Sequence, residues 1–132
     1  SGPAFLLAIA AVSLIVGSVG IANTMFTSVL EKTKEIGIMK AIGARNNDIL
    51  FIFLFNAAFI GFVGGIIGIF LGAILSYFLP SLMGNAPISD ITVSSNSIII
   101  ALFVSVTVGI LAGMIPAYQA SKLRPVDALR YE

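Results

Sequence analysis

The residues of this chain able to do acid–base or charge chemistry are few, and nearly all sit in two short stretches. Lys32, Lys34, Lys40 and Arg45 fall with Glu31, Glu35 and Asp48 in the first; Lys122, Arg124 and Arg130 fall with Asp127 and Glu132 in the second. Those are all 7 Lys and Arg of the 132 residues, and Asp90 is the one charge elsewhere. The sequence has no Cys and no His, which removes disulfides, thiol nucleophiles and metal sites built on soft or imidazole ligands. It holds no G-x-x-x-x-G-K-[ST] phosphate loop, so it cannot hydrolyse ATP by that route. The chemistry left to these residues is charged contact, with a partner protein or with a lipid surface.

The elements that must position them are apolar. Ala4–Val29, Ile49–Leu79 and Ile98–Tyr118 contain no Asp, Glu, Lys or Arg. An uncharged apolar run of ~20 residues crosses a hydrocarbon core of ~30 Å as a helix. With 58% hydrophobic and 10% charged residues, against roughly 25% charged in a soluble domain, three such spans predict an all-α integral membrane bundle. Every Lys and Arg lies in 30–48 or 119–132, and the connection 80–97 has none. By the positive-inside rule those basic segments are cytoplasmic, and the chain runs N-out, C-in through three crossings. The expected order within one membrane domain is span 4–29, cytoplasmic segment 30–48, span 49–79, outer loop 80–97, span 98–118 and cytoplasmic tail 119–132. With no His, no acidic residue in any span and no Lys near an intramembrane Ser, an intramembrane enzyme is disfavoured.

Within the spans, small residues recur at helical spacing. Ala101, Ser105, Gly109, Gly113, Ala117 and Ser121 form a ridge on the third; Gly64, Gly68, Gly72 and Ser76, with Gly61 and Gly65 alongside, form one on the second; Ser13, Gly17, Gly20, Thr24 and Ser28 follow on the first. Such ridges let membrane helices approach closely, so helix packing is expected at these positions, with a path lined by the glycines as the alternative. Asn23 and Asn56 lie at membrane depth as interhelical glue or as part of a conformational change. Asn46, Asn47 and Asp48 are suited to start the second span, Pro80 to stop it, and Pro116 to kink the third. Ile91, Thr92 and Val93 allow a short extended piece in the outer loop.

The stretch from about Glu31 to Ile42 reads as a short amphipathic helix with Ile38, Met39 and Ile42 on one face, Glu35 one turn earlier, and Gly43 as its stop. Its apolar face must lie on headgroups or in a protein groove. In the tail, Pro125 opens a short helix to Leu129 or Arg130, with Asp127 near its N-terminus. Val126 and Leu129 share a face there, which serves an interfacial anchor or a protein contact.

Three blocks carry a resemblance. Gly20-Ile21-Ala22-Asn23-Thr24-Met25 and Ser28 through Gly37 with Ala41-Ile42-Gly43-Ala44 form the first; the Gly61, Gly64, Gly65, Gly68, Gly72 series is the second; Gly113 through Glu132, with Pro116 and Pro125, is the third. Together they resemble the MacB/FtsX permease family of ABC transporters. The resemblance implies the last three transmembrane helices of a longer permease, whose first helix and extracytoplasmic domain would precede Ala4. It implies a cytoplasmic coupling helix, with Glu35, Ile36, Gly37, Ile38, Met39, Lys40, Ala41, Ile42 and Gly43 docking on a separate ABC ATPase. ATP would act through that subunit, with no cofactor and no nucleic acid bound by this chain. A second permease copy, membrane lipid and a prokaryotic inner-membrane location are implied as well. Mechanotransmission to an extracytoplasmic domain is the leading role; control of a cell-wall hydrolase, antibiotic sensing or plain self-association are the alternatives. Where members of the family often carry Glu early in the penultimate span this chain has Asn56, and Lys32 and Lys34 stand where Arg is frequent, which changes a bidentate contact to a point charge. Met39→Glu is expected to uncouple the ATPase without preventing insertion.

Overall fold

The computed structural model describes residues 2–83, 94–124 and 126. Four helices follow one another: α1 (Gly2–Glu31), α2 (Thr33–Ala41), α3 (Asn46–Met83) and α4 (Ser95–Ser121). There is no strand among the described residues. α1, α3 and α4 are each long and apolar enough to cross a membrane. The fold class is the one the uncharged runs require.

Each long helix overshoots its uncharged run, because a helix does not need to end where the apolar sequence does. α3 continues through Pro80 to Met83 instead of stopping there; a proline removes one backbone donor, and only the last turn lies beyond it. α4 begins at Ser95, before the apolar run, because Ser94 caps it: its hydroxyl accepts from the Ser97 backbone N–H at 3.2 Å. Pro116 is fully buried inside α4, and the helix runs on to Ser121. The extended piece at 91–93 and the tail helix from Pro125 lie outside the described residues.

α1 and α2 are separated by Lys32 alone. The Thr33 hydroxyl donates to the carbonyls of Val29 (2.8 Å) and Leu30 (3.1 Å) across that break. α2 ends in a Schellman turn: Gly43 N–H donates to Lys40 O at 3.1 Å and Ala44 N–H to Met39 O at 2.9 Å. That turn needs a left-handed residue, and Gly43 supplies it at φ 113°. α3 then starts at once, with the Asp48 carboxylate accepting from the Arg45 N–H at 3.0 Å. This is the returning half of a capping box, and it puts negative charge at the helix N-terminus.

α3 and α4 share the most extensive interface; α1 packs mainly on α4 and touches α3 little. Glycine makes the α3–α4 approach possible. A Cβ on Gly61 would stand 2.5 Å from the Ser105 carbonyl oxygen. One on Gly109 would stand 2.7 Å from the Ala57 carbonyl oxygen and 3.0 Å from the Gly61 Cα. At Gly65 it would collide with the Ser105 hydroxyl, and at Gly113 with the Ala57 methyl. With no water to expel, close backbone contact is what holds two such helices together.

Among the described residues, larger side chains are buried only near the basic segments. Met25 and Val29 of α1, Ile36 of α2, Ile49, Phe53 and Ala57 of α3, and Ala117 and Ala120 of α4 form one cluster. At the other end of α1, Phe5, Leu6, Leu7, Val12, Ile15 and Val16 are all exposed.

Candidate functional site

The cluster positions α2. Ile36 is wholly buried and Gly37 is buried with it, while Met39 is half-buried against the same cluster. Helical spacing then turns the opposite face outward: Glu35 and Ala41 are exposed, Ile38 is 45% exposed and Ile42 82%. This corrects the expected face. Ile38 and Ile42 do share a side, one turn apart, but Met39 faces the bundle and Ile36 is the anchor. The correction has a simple cause: Ile36, Ile38, Met39 and Ile42 put apolar side chains on both sides of a short helix, and spacing alone does not say which side meets the protein. Met39→Glu would therefore place a charge in the core and would not test docking cleanly.

Lys40 also turns inward. Its ammonium donates to the backbone carbonyl of Leu123 at 2.6 Å and to that of Ser121. Burial pushes Lys40 below the ordinary lysine range, while the two carbonyls favour its charged form. The two basic segments, 81 residues apart at this bond, thus meet at one end of the bundle. Nothing in the spacing signals this contact, because the last turn of α4 carries no charge of its own.

Beside α2 lies a cleft of about 210 Å³, lined by Lys32, Glu35, Ile36, Met39, Ile52, Phe53 and Asn56. Asn56 is half-buried there, and its amide points at the Met25 sulfur, 4.0 Å away. That is a weak contact. Asn23 is exposed and bridges no helices among the described residues.

Of the expected packing positions, Gly61, Gly65, Ser105, Gly109 and Gly113 form the α3–α4 seam. Gly17, Gly20, Gly64, Gly68 and Gly72 do not pack among the described residues: a Cβ on any of them meets nothing within 4 Å. Gly17 and Gly64 instead line an apolar groove of about 320 Å³ between α1 and the α3–α4 pair. α3 carries small residues on two sides, and only one of them faces α4. Ala57, Ala117 and Ala120 are buried at the contact as well; Ala117 lies on the expected ridge, and the other two escape a reading keyed to glycine.

Three long apolar helices around a glycine seam, with both basic segments gathered at one end, define a multi-pass helical membrane protein. Residues 7–125 match the family described as FtsX-like permease C-terminal. The chain belongs to that family, and so to the MacB/FtsX type of ABC transporter permease. It is 46% identical over 127 residues to the macrolide export ATP-binding/permease protein MacB of Bdellovibrio bacteriovorus, covering 96% of this chain and 19% of the relative. It is 49% identical over 127 residues to MacB of Syntrophobacter fumaroxidans, covering 96% and 17%. An uncharacterized ABC transporter permease of Methanocaldococcus jannaschii is 43% identical over 131 residues, covering 97% and 33%. The chain thus spans a third or less of the length of these relatives.

Proposed function

We propose that this chain is the transmembrane part of an ABC permease that converts ATP hydrolysis by a partner ATPase into movement of an extracytoplasmic domain. In this reading the basic end is cytoplasmic, the membrane is a prokaryotic inner membrane, and two permease copies work together. The MacB relatives are named as ATP-binding and permease proteins at once, and the archaeal one as a permease. We read the ATPase here as a separate subunit, with α2 as the helix that docks on it.

The observation that carries this reading is the pair of exposed isoleucines on an anchored helix. Ile38 and Ile42 stand outward from α2, while Ile36 and Lys40 fix the other face to the bundle. A helix held this way transmits force at its exposed face, and two apolar knobs one turn apart suit a groove on a partner protein. Glu35 beside them supplies orientation more than affinity.

The test uses the full-length permease and its ATPase in membranes, with the cysteine-free sequence of this region carrying Ala41→Cys. The expected result is a cross-link to the ATPase that changes with ATP and is lost in Ile42→Glu, with membrane yield and thermal stability unchanged. An Ala41→Cys thiol that reacts with a cytoplasmic reagent but links to no ATPase overturns the docking assignment.

A further inference from the structure

The last turn of α4 reads Tyr118-Gln119-Ala120-Ser121 and carries no basic residue. A helix C-terminus leaves its final carbonyls without intrahelical donors and carries partial negative charge. Three of them are met locally. The Ser121 hydroxyl donates to Tyr118 O at 2.7 Å, Lys122 N–H to Gln119 O at 3.3 Å, and Leu123 N–H to Ala120 O at 3.3 Å. The carbonyls of Ser121 and of Leu123 are met by Lys40, from another helix. The cation that α4 lacks therefore arrives from α2. Lys122, the basic residue closest along the chain, instead lies over the Tyr118 ring at 4.8 Å.

α2 is joined covalently to α1 through Lys32 and to α3 through Ile42 to Arg45. α4 has no such joint. Its contact with the cluster around α2 is made through Ala117 and Ala120, with Leu123 just past the helix half-buried against it; these are apolar contacts with no directional hold. We propose that Lys40 is a positioning residue that fastens the C-terminal end of α4 to α2, so that a displacement of α2 moves all three spans together. The assignment gives Lys40 an inward task distinct from contact with the ATPase. Its transmission part rests on the docking reading above; the tie itself does not.

Two spin-label pairs in the full-length permease test it. The first, Ile42→Cys with Arg124→Cys, is read without ATPase, so it depends on no partner. A narrow distance distribution is expected, at least doubling in width in Lys40→Met and narrowing again in Lys40→Arg, which restores a charged donor. A distribution equally narrow in Lys40→Met overturns the tie. The second pair, Asn47→Cys with Arg124→Cys, avoids the docking face and is read in the permease–ATPase complex with and without ATP. With Lys40 present the separation of the α3 and α4 ends is expected to stay fixed, and in Lys40→Met to become ATP-dependent. An ATP-dependent separation with Lys40 present overturns the transmission role, whatever the mutant does. If ATP changes the separation in neither background, Lys40 is not needed to keep the two ends together and the transmission role falls, while the Ala41→Cys cross-link decides docking and the first pair decides the tie.

Discussion

The two halves of the bundle are held by different means. Along the α3–α4 seam, glycines bring backbones to within a distance that leaves no room for one added methyl. At the basic end, Met25, Ile36, Ile49 and Phe53 interlock as side chains, and a lysine bonds across helices. The seam keeps two helices antiparallel neighbours over a long stretch; the knot joins four elements at one point. The proposed coupling role would use both: a firm junction where the push enters and stiff rods that carry it away. The N-terminal half of α1, by contrast, has no buried residue among those described.

Substitutions can break one device and leave the other. The largest effect is expected from Ile36→Ala, which empties the centre of the knot; loss of a wholly buried isoleucine costs about 2–5 kcal/mol. Thermal denaturation of the purified permease in detergent should show it as a clear fall in midpoint, with the α3–α4 seam still resistant to proteolysis. A fall no larger than that of an exposed substitution would mean the knot is not where stability resides.

Gly109→Ala strikes the seam instead. The new methyl meets the Ala57 carbonyl and Gly61 backbone, neither of which can rotate away, so an overpacking penalty of about 1–3 kcal/mol is expected. A cysteine pair across the seam should then cross-link more slowly, while α2 remains docked. Smallest of all is Gly68→Ala, where nothing lies within 4 Å. Helix propensity alone predicts a gain of roughly 0.5–1 kcal/mol for the isolated protomer. If assembly of the full transporter weakens while the protomer gains, the open face of α3 is covered by another chain; if the protomer gains and assembly is unaffected, lipid covers it.

Most of the architecture could be read from where charges are absent. Three uncharged runs give three spans, because hydrocarbon tolerates nothing else at that length. The small-residue ridge on the third span marked the buried stripe of α4 well, since Gly109, Gly113, Ala117 and Ser121 all lie in it. On α3 only Gly61 and Gly65 of the expected residues pack among the described residues, while Gly64, Gly68 and Gly72, with Gly17 and Gly20 of α1, meet nothing within 4 Å. A ridge records that something approaches closely, not which element does. The site was legible as a segment and illegible as a surface. Composition located the helix between Lys32 and Gly43, but which of its isoleucines points outward was decided by Met25, Ile49 and Phe53, residues distant in the chain. Lys40 was legible only as a charge. Its partners are backbone carbonyls, and carbonyls carry no sequence signal.

The corner between α2 and α3 has a mechanical consequence. Gly43 at φ 113° closes one helix, Asp48 caps the next from its third position, and only Ile42 to Arg45 separates them. Both ends of the connection are hydrogen-bonded, so there is little slack in it. In a linkage, slack appears as backlash: the driver turns some way before the driven part follows. With so little play, a small tilt of α2 under the proposed coupling would enter the long rod of α3 almost undiminished. The far end then sweeps an arc set by the length of the rod and not by the size of the input.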